Sequence, residues 1–426
     1  MTSLKTDPAP ARDLSSDGPE PGSARDQLRI LSLSCVYPNQ TDPVLGVFVH
    51  SRLRHLSAWA DIKVLAPVPR VDYSRSKVGR RGILSREWDG PIEIFHPGWL
   101  YPPGGFSINP ILLFLRLLPL AASLHKRHHF DMIDAHFAFP DGIAASLLAR
   151  ALGIPFSVTL RGNETMHAQY PRRRRMMASA LGRASAVIAL SDELRQFALS
   201  VGVPNERISI IPNGIDAETF YPRDRAFCRR KHGIPADAKI VLSAGSLIER
   251  KGHHRVMQAL AELRRTGASA TLVIAGGAGR EGRFADELRD QVAALGLNER
   301  VHFTGEVSPG DLAELMSAAD VFCLASSREG WPNVIHEAMA CGLPVVATRV
   351  GAVADMIPSP EYGFVVPLGD PAALESALSA AFEKNWDHRK ISERAHARTW
   401  GQAAKEVYDV LRDAKTVAQM RGGMVG

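Results

Sequence analysis

The sequence predicts an α/β protein made of two Rossmann-like, doubly wound halves that face each other across a cleft. Short apolar runs of strand length alternate with stretches of helical periodicity from Leu28 to Phe382, the pattern of parallel sheets covered by helices. The alternation breaks at the turn-rich segment Asn213–Arg225 and then restarts, which gives two halves of similar size. The length of 426 residues also exceeds one ordinary core and suits two domains of about 200 residues each. The expected organisation is a leader at 1–26, a first domain at 27–218, a second at 219–398, and a final helix at 399–416.

The leader is rich in Pro, Ser, Asp and Gly and has no apolar periodicity, so it is expected to be disordered. It also lacks the apolar centre of a signal peptide. Predicted strands of the first half are Leu28–Ser34, Ile62–Ala66, Ile92–Phe95, Met132–Ala135, Phe156–Leu160, Ala186–Ala189 and Ile208–Ile211. Helical spacing of apolar residues marks Val47–Trp59, Asp141–Leu152 and Asp192–Val201 between them. In the second half the predicted strands are Ile240–Ala244, Thr271–Ala275, Val301–Thr304, Asp320–Ala325, Pro344–Thr348 and Phe364–Val366. Helices are predicted at Val256–Arg265, Arg283–Leu295, Asp311–Ser317, Asn333–Cys341 and Pro371–Phe382. Trp400, Ala403, Ala404, Val407, Tyr408 and Leu411 then form one amphipathic stripe that must dock on another element.

Composition narrows the function classes. The excess of 51 basic over 45 acidic residues gives a net charge of +6, which favours nucleic acid, anionic lipid or phosphorylated small molecules. No nucleic-acid module is present, and the basic residues cluster, so nucleic acid is not an expected partner. One cluster is Arg172–Arg175. Another, Lys126–His129, follows the apolar stretch Ile108–Leu124, whose Arg116 and Pro119 make it a poor membrane span. That stretch either lies on an anionic membrane face or packs as an ordinary buried helix with a solvated basic side. Cys35, Cys228, Cys323 and Cys341 lack metal-ligand spacing and read as reduced thiols of a cytosolic protein. His128, His129, His253 and His254 have no ligand partners at suitable spacing, so no metal is expected.

The chemistry concentrates in Arg328–Leu343, REGWPNVIHEAMACGL. Glu329 sits on a loop at the carboxyl end of a predicted strand, and Pro332 suits a helix start. The free N–H groups of 333–335 would then point out beside Glu329, at the sheet edge where open α/β folds bind ligands. Glu337 follows one turn into the helix. The two carboxylates invite a glycosidase reading, which needs them about 5–9.5 Å apart across one bond; at about 1.5 Å rise per helical residue their backbones are on the order of 8–12 Å apart, which suits different parts of one extended ligand better. A bland reading makes Glu329 a cap and Glu337 a solvated helix residue. Glu249-Arg250-Lys251-Gly252 leaves the preceding strand at the same edge and can neutralise a diphosphate. Gly277-Ala-Gly279-Arg-Glu-Gly282, with Glu306 beyond it, fits a dinucleotide fingerprint, but it opens the second strand–helix unit of its half rather than the first. His136 and Arg161 end successive strands of the first half, where a His can bind a sugar or move a proton and an Arg supplies charge.

Taken together these residues resemble the retaining glycosyltransferases of family 4, which have the GT-B architecture. The resemblance runs from about Leu28 to Ala414. It is carried by EGWPNVIHEAMACGLPVVAT with Glu329 and Glu337 eight apart, by IPNGID at 211–216, and by Lys251-Gly252. IAGGAG at 274–279, VHFTGEV at 301–307, HFAFPDG and TLRG support it. The first half is most similar to enzymes of bacterial cell-surface polysaccharides, including the teichuronic-acid type. The resemblance implies a nucleotide-sugar donor, with UDP or GDP, and a saccharide or lipid-linked acceptor. By it, Glu337 binds ribose hydroxyls and Glu329 sugar hydroxyls, while the backbone of Gly330, Trp331, Asn333 and Val334 holds sugar and phosphate. Lys251 neutralises the departing diphosphate, aided by Arg250, and the backbone near Val307 reads the base beside Gly277. His136 contacts the donor sugar, Arg161 adds charge, and Gly46 lets its loop approach the phosphates. The final helix crosses back to the first domain, and neither a divalent metal nor another cofactor is implied. Two positions depart from the family pattern. Ser246 stands where most relatives carry an arginine, and the glycine pair of the first loop is reduced to Gly46. A sugar-nucleotide binder without turnover and a dinucleotide oxidoreductase remain the rival readings.

Overall fold

The computed structural model describes residues 27–69, 83–102, 107–265, 267, 269–278 and 283–423; the expected leader and Gly279–Gly282 lie outside them. In chain order the first half has strands β1 Leu28–Leu33, β2 Ala60–Leu65, β3 Val68–Pro69, β4 Arg86–Asp89, β5 Ile92–Phe95, β6 Gly98–Trp99, β7 Met132–His136, β8 Phe156–Leu160, β9 Ala186–Ala189 and β10 Ile208–Ile210. An 8-stranded sheet is ordered β10-β9-β8-β7-β1-β2-β5-β4, and β3 pairs with β6 apart from it. The second half has β11 Lys239–Ala244, β12 Ala270–Ala275, β13 Val301–Gly305, β14 Val321–Leu324, β15 Val345–Thr348 and β16 Gly363–Val366. They form a 6-stranded parallel sheet ordered β13-β12-β11-β14-β15-β16, the dinucleotide-fold order.

Strands β7, β8, β14 and β15 are buried along their whole length, as continuous apolar runs in a helix-covered parallel sheet should be. One edge departs from the parallel scheme. Strand β4 runs antiparallel to β5, and its sequence REWD reads as a polar loop because only one of its faces is covered. Both sheets reverse their order beside the first strand, between β1 and β7 and between β11 and β14. Crevices open at such switch points, and the two crevices here share one gap.

The apolar stretch after Ile108 is the helix Asn109–His128. It buries Leu113, Leu117, Ala121 and Leu124 in the core of the first half and leaves Ile108, Ile111 and Leu115 exposed. Among the described residues no helix is long and apolar enough to cross a membrane. The final helix Trp400–Gly423 leaves the second half and lays Ala404, Val407, Leu411 and Ala414 on Val49, Leu53 and Leu56 of the first. The two chain crossings run side by side: the Ile215 amide donates to Arg398 O at 2.9 Å and the Trp400 amide to Ile215 O at 3.3 Å.

Candidate functional site

A cavity of about 660 Å³ lies between the halves. Its first wall comes from loops after β1, β7 and β8, through Val44, Phe48, Phe137, Arg161, Gly162 and Asn163. The second comes from loops after β11 to β14, through Ser246, Arg250, Lys251, Gly277, Val307 and the run Arg328–Val334.

The second wall is organised around Glu329. Lys251 Nζ donates to its Oε1 at 2.7 Å, Ser326 Oγ donates to the same oxygen at 2.8 Å, and Arg250 Nη1 lies 3.4 Å from Oε2. Burial pushes the Glu329 carboxyl up, but Lys251 and Arg250 outweigh it and hold the group below the ordinary carboxylate range. Arg250 also donates to Arg328 O at 3.0 Å, and the Ala352 amide donates to Gly330 O at 3.0 Å, which pins the loop. The helix Asn333–Ala340 begins at Pro332 without a side-chain cap. The Ile335 amide, expected to be free, turns back to Pro332 O at 3.0 Å, which leaves the amides of Asn333 and Val334 and the positive end of the dipole for an anion at the cavity. Ser246 lines the cavity with Arg250, so the same pocket holds both the departure from the family pattern and a cation.

Glu337 lies one turn deeper. Burial first, and then Asp216, push its carboxyl up to about 7, against the opposing pull of Lys251. A pair of carboxylates with displaced pKa values is what a glycosidase uses. Here Lys251 and Ser326 bind Oε1 and Arg250 faces Oε2, so Glu329 anchors a cation cluster and keeps lone pairs for a ligand's hydroxyls.

On the first wall Arg161 is 7% exposed, and its guanidinium lies 5.0 Å from the centre of the Phe48 ring. Nη2 donates to His136 Nδ1 at 3.1 Å, and Nη1 to Asn213 Oδ1 at 3.4 Å. Asn213 Nδ2 in turn donates to Asn333 Oδ1 at 3.0 Å, a direct bond between the halves. Glu164, fully buried, accepts from the amides of Ala138, Arg161 and Gly162 and so fixes the two loops that carry these side chains.

His136 is a correction. The expectation put its imidazole on the donor sugar, yet the side chain is 0% exposed and does not line the cavity. Its Nε2 lies 3.3 Å from Ser32 Oγ and 3.5 Å from the Asp134 carboxylate. Burial, then Arg161 and Arg52, drive its pKa well down, so it is a neutral acceptor behind Arg161. Gly46 is corrected in part. Val44, Val47 and Phe48 line the cavity, but the close approach that Gly46 permits, at φ 67°, is to Val36 O, 2.2 Å from where a Cβ would stand. At Gly277 a Cβ would stand 2.4 Å from Glu306 Oε1, so these two residues shape one corner of the cavity together. Val307 and Val334 contribute apolar surface, and Trp331 packs against the cores of both halves. Sequence reasoning passed over Asn213, Arg328 and Phe48 as site residues. Only Asn213 had a signal, standing in the NGID turn directly after the last strand of the first half.

Residues 79–219 match the family model described as Glycosyltransferase Family 4, and residues 224–398 match Glycosyl transferases group 1. The D-inositol 3-phosphate glycosyltransferase of Corynebacterium glutamicum (strain R) is 30% identical over 314 residues, covering 69% of this chain and 75% of that protein. TuaC of Bacillus subtilis (strain 168), named for teichuronic acid biosynthesis, is 26% identical over 370 residues, covering 84% of this chain and 90% of that one. Sucrose-phosphate synthase from Thermosynechococcus elongatus superposes with a TM-score of 0.76 at 21% identity, over 92% of this chain and 100% of that chain. Two Rossmann-like domains around a shared gap define the GT-B class of glycosyltransferase. The chain belongs to glycosyltransferase family 4.

Proposed function

We propose that this glycosyltransferase moves a sugar from a UDP- or GDP-sugar to a saccharide or lipid-linked acceptor, with retention, in the synthesis of cell-surface polysaccharide. The observation that carries the donor reading is the Lys251–Glu329–Arg250 cluster beside an uncapped helix start. Leaving diphosphate gains negative charge as the glycosyl bond breaks, and fixed cations and amides aimed at that charge stabilise it most in the transition state. Glu329 holds Lys251 in place and presents its carboxylate to sugar hydroxyls; Glu337 accepts from the ribose. The acceptor hydroxyl attacks the anomeric carbon on the face the diphosphate leaves, and the departing diphosphate takes its proton, so no side chain serves as nucleophile. Lys251, Arg250 and the helix amides do the work a divalent metal would do. The acceptor class is supported by the name of TuaC alone.

A thermal-shift screen of nucleoside diphosphates tests this: UDP or GDP should raise the melting temperature and NAD should not. Stabilisation by NAD alone would favour the oxidoreductase reading, whereas nucleotide binding without acceptor-dependent nucleotide release would mark a non-catalytic binder. Glu337 adds a pH arm. Its folded pKa is raised, so the protonated form is favoured in the free protein, and the ionised form that accepts ribose hydroxyls is lost as pH falls through about 7. Nucleotide affinity should therefore weaken between pH 8 and 6, and Glu337→Gln should flatten that dependence.

The exposed Ile108, Ile111 and Leu115, on a helix that ends in Lys126-Arg127-His128, support peripheral contact with an anionic membrane surface. Sedimentation with anionic vesicles that disappears in high salt is the expected result; indifference to lipid charge would end this reading.

A further inference from the structure

Arg161, Asn213 and Asn333 form one chain of side chains across the gap. Arg161 Nη1 donates to Asn213 Oδ1 at 3.4 Å, and Asn213 Nδ2 donates to Asn333 Oδ1 at 3.0 Å. The guanidinium is fixed by His136 Nδ1 at 3.1 Å and by the Phe48 ring beside it. Burial and Arg52 act against its charge, and the buried carboxylates of Asp134 and Glu164 support it. A guanidinium has donors and no acceptor, so Arg161 can meet only the oxygen of the Asn213 amide. The Asn213 nitrogen is then left facing the second half, where it can meet only the oxygen of Asn333. Asn213 is 1% exposed, so turning its amide over would leave two buried pairs mismatched. Asn333 opens the helix Asn333–Ala340 and lines the cavity, while its Nδ2 has no protein partner among the described residues. An arginine of one half thus sets which end of an amide the other half offers to a ligand.

We propose that Asn213 is a positioning residue for the donor: it turns the Asn333 amide so that Nδ2, and not Oδ1, faces the cavity as a further donor to the diphosphate. This rests on the donor diphosphate lying at the start of the 333 helix, as proposed above. An amide N–H aimed at a phosphate oxygen makes a charge-assisted hydrogen bond, whereas the amide oxygen in its place repels the same anion. Orientation therefore changes the sign of the contact. Because Arg161 and Asn213 reach Asn333 from the other side of the gap, the amide is set only while the halves are together. Closure then completes a donor site that the second half does not finish alone.

Inorganic pyrophosphate, UDP and GDP are titrated calorimetrically into the wild type, Asn213→Asp, Asn213→Ala, Asn333→Ala and the Asn213→Asp/Asn333→Ala double variant. An aspartate at 213 offers only oxygens, so Asn333 must turn its nitrogen inward and its oxygen to the cavity. Pyrophosphate affinity is expected to fall at least about tenfold in Asn213→Asp but only about threefold in Asn213→Ala, where Asn333 can still turn to suit the anion. A merely structural role gives the opposite order, since aspartate keeps the shape and the Arg161 contact and alanine keeps neither. In the Asn333→Ala background, Asn213→Asp should cost at most about threefold. An undiminished tenfold loss there would mean that the added charge, or direct contact from 213, acts without Asn333, and would overturn the proposal. Pyrophosphate affinity unchanged in Asn333→Ala, or no pyrophosphate binding by the wild type, would overturn it too. Should UDP and GDP fail to bind while pyrophosphate follows the expected order, the donor reading falls and the role of Asn213 stands. Circular dichroism checks folding; Asn333 is only partly buried, so its alanine variant decides the matter if the 213 variants do not fold.

Discussion

Replacing Lys251 by alanine is expected to lower turnover about 100-fold, or about 2.7 kcal/mol of transition-state stabilisation. Charge-assisted hydrogen bonds are worth about 1.5–3 kcal/mol each, and the Lys251 ammonium is proposed to make such a contact with the departing diphosphate. The substitution acts a second time, because Glu329 Oε1 accepts from Lys251 at 2.7 Å and would keep only Ser326 and the longer Arg250 contact. The cluster acts as a unit, so Lys251→Ala combined with Glu329→Gln should lose less than the sum of the single losses. Steady-state rates with the donor found by thermal shift provide the check. Turnover of Lys251→Ala within threefold of wild type would sink the proposed role.

Gly330→Ala is expected to reduce kcat/KM about 100-fold while the protein stays folded. A Cβ at Gly330 would stand 2.1 Å from Arg161 O, and one at Gly162, whose φ is 112°, would stand 2.5 Å from Gly330 Cα. Both obstacles are backbone, so neither can rotate aside as a side chain could. The two glycines belong to opposite halves, and the added methyl group must push the walls apart. A displacement of about 1 Å in a site that works by positioning costs on the order of 100-fold. Gly162→Ala should mimic it from the other wall. Unchanged far-UV circular dichroism with wider domain separation by small-angle scattering would support the reading; full activity in both variants would exclude a tight closure.

Much of the fold was legible because a parallel sheet covered on both faces needs continuous apolar strands. Phe156–Leu160, Ala186–Ala189 and Ile92–Phe95 coincide with the observed strands. Strand β4 was not legible, since an edge strand with one covered face needs few apolar residues. Lys251 and Glu329 were legible as residues just after two strands of the second half, and local chain geometry put both at the carboxyl edge of one sheet. Their contact needed β11 and β14 to be hydrogen-bonded neighbours, although residues 245–320 separate them in the chain. His136 shows the opposite case. A histidine at the end of a strand looks available, and only the packing of Arg161, Ser32 and Asp134 around it turned it inward.

Periodicity and turn chemistry are properties of short stretches, and they were enough for two doubly wound halves, a helix start at Pro332 and a basic loop at Arg250-Lys251. Which side chains meet across the gap depends on residues far apart in the chain. The pairing of Gly162 with Gly330 and the bond from Asn213 to Asn333 could not be read from any one segment. Each results from two separately folded sheets being held at one distance by the paired crossings at 215 and 398–400 and by the final helix. Local sequence cannot set that distance.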